Sequence, residues 1–335
     1  VTGGRTAFIQ GTRRIGDLAR LNVLGAIVGT VVAVGLYAWL GEKGIVPVLI
    51  ITALINLGFA AWFARQIRTV HVTQTWIETL ANSKQLVSLG LAFMYGALLA
   101  ALVGLAIRVL IVRNLGLDAN GIYQAAWALS GLFAGFIMGA MGADFYPRLT
   151  AVANDNEQVN RLVNEQIEVG VLLALPGLLG TLAFAPWLMH IFYSEKFVAG
   201  ASLLPWLAIG VFGQVISFPL GYIQRAKGRT AWIYVSQSHL NLLNIVLSIV
   251  MVINFGLEAV AWAFALTTFI HGVVVLNIAR HLSAFRWGAS TVRLMLSATA
   301  MIALGFALQR WASGLPATLL SAFLIATGCF FSLRG

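Results

Sequence analysis

Two arginines at one end of a long apolar run are the residues of this sequence best suited to holding an anion. Arg108 lies inside the run at about 86–112, and Arg113 follows at its end. An arginine that faces lipid costs at least about 2.5 to 3.5 kcal/mol, and Gly104 and Gly96 precede Arg108 on a helical face that lets another helix approach. Arg108 therefore either points into protein or a cavity, where it can bind an acidic group, or extends toward the nearer interface. Arg113 either holds an anion at the mouth of such a cavity or anchors a lipid headgroup.

A stripe of amide side chains is a second candidate. Gln237, Asn241 and Asn244, followed by Ser248, are spaced by four, three and four positions, which places them on one face of a helix. Amides offer both hydrogen-bond donors and acceptors, which suits sugar hydroxyls. Alternatively, the stripe bonds to neighbouring helices, where each bond contributes about 0.6 kcal/mol.

The other ionisable candidates lie near the ends of predicted helices or inside one of them. Asp144 and Arg148 are four residues apart, as in a structural ion pair or a gate. A basic loop follows a later helix and contains Arg225, Lys227 and Arg229. His271, with Thr267 one turn earlier, either takes up and releases a proton or is a packing histidine.

The composition around these residues predicts an all-α membrane protein. Sixty per cent of the residues are hydrophobic and 10% are charged, whereas about 25% are charged in a soluble domain. The mean hydropathy is +0.89. Runs long enough to cross about 30 Å of hydrocarbon predict about ten transmembrane helices. These runs lie at about 22–40, 45–63, 86–112, 122–143, 169–192, 203–223, 232–253, 259–278, 294–309 and 316–332.

The basic residues predict the orientation of these helices. Sixteen of the 21 lysines and arginines fall on one set of alternate connections, which the positive-inside rule assigns to the cytoplasm together with both ends of the chain. The net charge of +10 then reflects topology and contact with anionic lipid headgroups, each basic residue near the surface contributing about 1 kcal/mol. No nucleic-acid partner is expected.

Catalytic, cofactor and metal sites are not expected. The single cysteine, Cys329, has no partner for a disulfide or a cysteine-based metal site. The short loops on the predicted outer side hold only four acidic residues, whereas an enzyme acting there needs paired acids or histidines near a longer loop. Those four residues are Glu42, Asp118, Glu195 and Glu258.

Two segments of the sequence repeat at a fixed offset. Arg14 and Arg229 are separated by 215 positions, and the same offset relates Gly41 to Gly256 and Arg65 to Arg280. Six predicted spans separate equivalent points, so the two segments have the same orientation. Such a repeat predicts two parallel six-helix lobes related by an axis along the membrane normal, an architecture found in transporters. The alternative is that two unrelated hairpins share a length set by the bilayer.

The repeat predicts four segments of the chain. Residues 1–68 would be the last two helices of a first lobe, 69–85 a cytoplasmic linker, 86–282 a six-helix second lobe, and 283–335 two further transmembrane helices. On this interpretation the first lobe is incomplete, and four helices precede Val1 in the natural protein.

Several short segments resemble the Wzx-type flippases of lipid-linked oligosaccharides, which belong to the multidrug/oligosaccharidyl-lipid/polysaccharide exporter superfamily. The resemblance covers residues of about 8 to 280, and its motifs identify the superfamily better than the cargo. The two predicted helices beyond residue 282 exceed the twelve-helix members. The segments are Val112–Gly116, Asn120–Ala125, Phe145–Leu149, Ile191–Tyr193, Lys196–Phe197, Gly221–Tyr222 and Ala226–Gly228.

The resemblance implies a transporter that moves an undecaprenyl-pyrophosphate-linked oligosaccharide across the bacterial cytoplasmic membrane by alternating access. A glycan polymerase complex is a further partner that the resemblance implies. A lipid II flippase and an ion-coupled drug antiporter of the same superfamily are alternatives, and a membrane-embedded polymerase or transferase is disfavoured. Cargo contacts are expected from Arg108, Arg113, Gln124, Gln237, Asn241 and Asn244. Recruitment or gating is expected from Asp144, Arg148, Arg225, Lys227 and Arg229, and ion coupling from His271.

Overall fold

The computed structural model describes residues 2–12, 14–67, 75–311 and Gly328, and this part of the chain is helical without a strand. Two short 3-10 segments, Gly41–Gly44 and Glu195–Ser202, join longer helices. The helices are α1 (Thr2–Gly11), α2 (Ile15–Leu40), α3 (Ile45–Arg65), α4 (Trp76–Leu115), α5 (Leu117–Ala151), α6 (Asn156–Phe192), α7 (Leu204–Ala226), α8 (Thr230–Phe255), α9 (Glu258–Ser283) and α10 (Ala289–Trp311).

Seven stretches of the described residues are long and apolar enough to cross a bilayer, and the first of them holds both α2 and α3. The chain is therefore a multi-pass membrane protein. The predicted span 122–143 lies within α5, which is not one of the seven, and the span 316–332 lies outside the described residues apart from Gly328. The total of ten spans remains a prediction. The seven stretches are Gly16–Arg65, Leu86–Leu115, Asn156–Phe192, Leu204–Ala226, Thr230–Phe255, Glu258–Ser283 and Ala289–Gln309.

Large apolar side chains cover the outside of these helices. Trp39 is 82% exposed, Leu117 is 73% exposed and Trp187 is 70% exposed. Soluble proteins rarely expose apolar surface on this scale, whereas a hydrocarbon solvent makes such positions favourable. These side chains are therefore suited to contact with lipid or with further transmembrane helices.

The first compact unit comprises Val1–Thr79 together with Ala143–Pro147. Its small core is formed by Ile9, Leu21, Ala60 and Phe63, which α1, α2 and α3 contribute. Residues 76–85, predicted to be part of a linker, form the beginning of α4, while 68–74 lie outside the described residues.

The second compact unit comprises Leu80–Gly142 and Arg148–Gly335. Its most buried helix is α7, which packs against α6 and α9. Two glycines of α7 allow the approach of α9, because a Cβ at Gly210 would overlap the ring of Phe264 and a Cβ at Gly213 would lie 2.9 Å from Oγ1 of Thr268. Small residues at helix contacts are the usual basis of close packing in a membrane.

Replacing Gly210 by alanine is expected to destabilise the second unit by about 1–3 kcal/mol, because the added methyl group must displace the Phe264 ring. The matched control is Gly221→Ala in the same helix, where no described atom lies within 4 Å of the added Cβ. Thermal unfolding in detergent should show a lower midpoint for Gly210→Ala alone. Equal midpoints for the two variants would contradict the close packing of α7 and α9.

The backbone repeats locally at the predicted 215-residue offset. Helices α2 and α8 both contain 26 residues, and each begins and ends 215 positions from the other. The preceding arginines have nearly the same conformation, with φ/ψ of −82°/62° at Arg14 and −84°/73° at Arg229. Both helices end at a glycine of positive φ, 55° at Gly41 and 79° at Gly256. The local geometry is consistent with an internal repeat, and the arrangement of two six-helix lobes remains a prediction.

Helix α6 is bent near the second of its two prolines. Phe184, two residues before Pro186, has a non-helical φ/ψ of −115°/19°. A proline ring clashes with the preceding turn and removes a backbone hydrogen bond, which accounts for the bend. The opposite end of α6 begins at Asn156, because the Asp155 carboxylate accepts hydrogen bonds from the backbone N–H groups of Glu157 and Gln158.

Candidate functional site

A cavity of about 430 Å³ lies among five helices of the second unit, α4, α5, α7, α8 and α9. We call it the central cavity of the unit. Short side chains of α4, including Ala100 and Gly104, leave room for it beside Arg108. Its larger described lining residues are Arg108, Tyr123, Trp127, Gln214, Asn241, Asn244, Phe264, Thr267 and Thr268.

Polar groups from α8 and α9 form one part of this lining. Asn241 is only 5% exposed, and its Nδ2 donates to the carbonyl of Gln237 at 2.9 Å. Asn244 accepts a weak hydrogen bond from the Ser248 hydroxyl at 3.4 Å. The buried Oγ1 of Thr267 has no hydrogen-bond partner within the described part of the chain. The cavity therefore offers hydrogen-bonding capacity that the protein itself does not use.

Aromatic rings form another part of the lining. The rings of Tyr123 and Trp127 are 6.0 Å apart between centroids, and Trp127 meets Phe264 edge to face at 4.9 Å. Contacts of this kind between aromatic rings stabilise their relative orientation. Their faces are suited to the apolar face of a sugar ring.

The charge of the central cavity comes from Arg108. No aspartate or glutamate belongs to the lining that the structure describes. The Arg108 side chain is exposed at the edge of the cavity, and a cation without a carboxylate in the described lining attracts anions to a concave site. No group of three His, Cys, Asp or Glu side chains within the described ranges is placed to hold a metal ion.

The structure brings together some of the predicted cargo residues and separates others. Arg108, Asn241 and Asn244 line one cavity. Gln237 instead packs where α8 meets α4, because a Cβ built at Gly96 would lie 3.1 Å from its Cγ. Two further predicted residues, Arg113 and Gln124, are exposed and are outside the described lining.

Six of the larger lining residues were not among the predicted site residues. They are Tyr123, Trp127, Gln214, Phe264, Thr267 and Thr268. Tyr123 and Trp127 are one turn apart on α5, and Phe264 and Thr268 are one turn apart on α9. This spacing places each pair on one helical face. This spacing is only a weak indication of a cavity, because aromatic residues on a transmembrane helix can equally face lipid or the protein core.

The three predicted basic residues after α7 occupy two different environments. The Arg225 guanidinium lies over the rings of Tyr222 and Phe93, at 4.6 and 5.6 Å from their centroids. Lys227 and Arg229 instead line a second cavity. Arg225 therefore lies apart from the cavity that the other two line, and the recruiting or gating role of the three residues remains a prediction.

The Asp144 and Arg148 pair was predicted as an ion pair or a gate. Arg148 is 3.9 Å from the Glu165 carboxylate of α6, which also pairs with Arg161 at 3.5 Å. These side chains are largely exposed, and exposed ion pairs contribute about 0–1 kcal/mol. A gating role for Asp144 and Arg148 remains a prediction.

His271 stacks on a second histidine. The rings of His271 and His239 are 6.0 Å apart between centroids and inclined by 21°. Both Nδ1 atoms are buried and have no hydrogen-bond partner among the described residues. The pair joins α8 to α9 in the second unit.

Comparisons with known proteins place these features in context. A family profile described as "Polysaccharide biosynthesis protein" matches residues 5–202. The probable low-salt glycan biosynthesis flippase Agl15 of Haloferax volcanii is 24% identical over 171 residues, which are 49% of this chain and 34% of that protein.

Among solved structures, the fold is similar to the lipid II flippase MurJ in its inward closed conformation. The TM-score is 0.59 at 13% sequence identity, over 92% of this chain and 66% of the MurJ chain. At this identity the similarity concerns the fold alone. This chain thus spans about a third of the length of the matched flippase and 66% of MurJ.

Proposed function

This chain belongs to the polysaccharide biosynthesis protein family, and from that premise we propose that it carries a lipid-linked glycan across a membrane by alternating access. The observation that supports this most directly is the central cavity, which combines Arg108, two amides and an aromatic wall. The cargo we propose is an undecaprenyl-pyrophosphate-linked oligosaccharide. The role is transport and not catalysis.

The proposed roles follow from the chemistry of such a cargo. Its pyrophosphate loses hydration inside the protein, so a fixed cation must compensate, and the Arg108 guanidinium can donate two hydrogen bonds to one phosphate group. Asn241 and Asn244 donate to and accept from sugar hydroxyls. Trp127 and Phe264 contact the apolar faces of the sugar rings.

We also propose roles for three predicted residues outside the described lining of the cavity, Arg113, Gln124 and Gln237. Arg113 and Gln124 lie within about two turns of the α4–α5 connection at Gly116, and we assign them contacts with the headgroup at the outer mouth. Gln237 acts indirectly, by fixing α8 against Gly96 of α4.

Competing functions fit the cavity less well. A drug antiporter that binds cations needs a carboxylate, and the described lining of the central cavity holds none. A polymerase or transferase needs a pair of acidic or histidine side chains for catalysis. Lipid II is a second candidate cargo, because the fold is similar to that of the lipid II flippase MurJ.

The setting of the proposed transport follows from the charge distribution. We place the protein in the bacterial cytoplasmic membrane with both ends of this chain cytoplasmic, in contact with anionic lipids and a glycan polymerase complex. If transport is coupled to protons, we assign the coupling to His271 with its neighbour His239. Asp144 and Arg148 are the proposed gate at the cytoplasmic end of α5.

A pair of asparagines on α8 provides the test of this function. Asn241 and Asn254 each donate to the backbone carbonyl four residues earlier, but Asn241 lines the central cavity and Asn254 is exposed. Loss of one hydrogen bond of about 0.5–1.5 kcal/mol to a sugar should make Asn241→Ala export glycan about two- to tenfold more slowly. Asn254→Ala should export normally.

The measurement is surface glycan per amount of membrane-inserted protein, in cells that lack any redundant flippase. Both variants lose a side-chain hydrogen bond to the backbone carbonyl four residues earlier. A difference in export between them is therefore due to the position of Asn241 in the central cavity. Equal export by the two variants would exclude Asn241 from cargo contact, and normal surface glycan in cells without this protein would exclude the function.

A further inference from the structure

The second cavity, of about 590 Å³, lies beside the short connection between α7 and α8. Lys227 and Arg229 come from this connection, Trp232 from the first turn of α8, and His281 from the last turn of α9. The backbone around Ala153 and Asn154, between α5 and α6, completes it. Three separate parts of the second unit thus form one concave site at the side that the charge distribution predicts to be cytoplasmic.

The position of Lys227 within this cavity is fixed. Its Nζ donates to the carbonyl of Ala153 and to Oδ1 of Asn156, both at 2.7 Å. An ammonium group has three N–H donors, so one donor remains for a ligand. Burial lowers the pKa of Lys227, and the nearby charge of Arg229 lowers it further. Two neighbouring cations that repel each other in this way would be stabilised by an anion between them.

The acidic residue next to this site is already engaged. Asp155 caps α6, and its carboxylate also accepts from Nε2 of Gln158 at 2.8 Å. Hydrogen bonds from Gln158 lower the pKa of Asp155, so this carboxylate stays ionised as a cap. The lining described for the cavity contains no aspartate or glutamate.

The remaining wall is aromatic. The Trp232 ring meets the His281 ring edge to face, at 5.5 Å between centroids. Tryptophan is favoured at the membrane–water boundary, where its ring contacts both headgroups and hydrocarbon. Basic pockets between transmembrane helices on the cytoplasmic side are typical binding sites for anionic headgroups.

We propose that this cavity binds the phosphate of a lipid headgroup between Lys227 and Arg229, with Trp232 against the beginning of the lipid chain. Two lipids share this chemistry, an anionic phospholipid and the pyrophosphate of a lipid-linked glycan before it enters the central cavity. The second source rests on the proposed function. In either case the site is distinct from the central cavity, because the two cavities have no described lining residue in common.

Native mass spectrometry of the detergent-purified protein tests this site with phosphatidylglycerol, phosphatidylcholine and undecaprenyl pyrophosphate as probes. We expect retention of phosphatidylglycerol over phosphatidylcholine, and an affinity about fivefold lower in Arg229→Gln, as for loss of one basic residue near an anionic lipid. The matched control is Arg280→Gln. Arg280 is exposed, lies next to His281 in the last turn of α9, and is outside the described lining of this cavity. Arg229 is exposed and makes no capping hydrogen bond through its side chain, so its replacement should leave the fold intact.

Competition between the probes identifies the source of the phosphate. Displacement of phosphatidylglycerol by equimolar undecaprenyl pyrophosphate would assign the site to the cargo, and its absence would assign it to a resident phospholipid. Equal binding to Arg229→Gln and Arg280→Gln, or equal retention of the two phospholipids, would overturn the proposal. Because this readout is binding and not export, its failure is distinguishable from failure of the proposed transport function.

Discussion

Replacing Arg108 by alanine is expected to lower glycan export by at least about tenfold at unchanged membrane abundance, because a charge-assisted hydrogen bond to a phosphate contributes about 1.5–3 kcal/mol. Arg108 is the cation of the central cavity's described lining. Arg108→Lys should restore export in part if charge is the main requirement, and much less if the planar two-donor geometry is required. Arg113→Ala should act in the same direction but more weakly, since Arg113 lies outside that lining.

The control for this experiment is Arg293→Ala. Arg293 is exposed on α10, and its Nε donates to a carbonyl of its own helix at 3.3 Å, so its loss should leave export unchanged. Surface glycan is measured in a strain without a redundant flippase and normalised to the protein in the membrane. Normal export by the Arg108→Ala/Arg113→Ala double variant would remove both arginines from the transport path and leave them as interface anchors.

Replacing Gly104 by phenylalanine is expected to abolish nearly all export while leaving the fold intact. Gly104 lines the central cavity, and no described atom lies within 4 Å of a Cβ built there. The new ring would therefore occupy the space that the cargo needs. The matched control is Gly90→Phe, on the same helix, where the residue is exposed and the added Cβ also meets no described atom within 4 Å.

Both glycine variants are compared by export and by thermal unfolding in detergent. We expect similar unfolding midpoints, because an added Cβ meets no described atom within 4 Å at either position, and a loss of export only in Gly104→Phe. Normal export by a well-folded Gly104→Phe variant would show that cargo does not pass through this cavity.

Periodicity along one helix predicts part of the candidate site. The spacing of Asn241 and Asn244 fixes a face of α8 whatever its neighbours are, and both line the cavity with Arg108. Gln237 has the same periodicity but packs at the contact with α4, because Gly96 leaves room for it there. Which neighbour a helical face meets depends on residues distant in sequence, and a single helix does not reveal it.

The basic loop after α7 shows a related difficulty. Arg225, Lys227 and Arg229 are nearly adjacent in sequence, but α7 continues to Ala226. Arg225 therefore stays on the helix and packs over Tyr222, whereas the other two residues lie in the connection. The exact end of a helix is weakly encoded by local sequence, and here it decides which charges share a site.

The aromatic wall could not be predicted for a different reason. Trp127 and Phe264 come from separate helices, and in a membrane an aromatic ring is equally compatible with lipid, with a protein core and with a cavity. Their edge-to-face contact at 4.9 Å depends on how α5 and α9 pack. Composition and helix length, in contrast, predict the membrane-spanning character from the sequence alone. A helix that crosses the hydrocarbon layer must be apolar, and the thickness of that layer sets its length.

Transport through the central cavity can be measured directly in proteoliposomes that contain the purified full-length protein and a fluorescent undecaprenyl-pyrophosphate-linked oligosaccharide. The readout is the fraction of labelled lipid that moves from one leaflet to the other, detected with a quencher that cannot cross the bilayer. We expect the unmodified protein and Gly90→Phe to move the lipid, and Gly104→Phe to behave like protein-free vesicles. Equal movement in vesicles with the unmodified protein, with Gly104→Phe and without protein would contradict the proposal that this chain provides a glycan–lipid pathway through its central cavity.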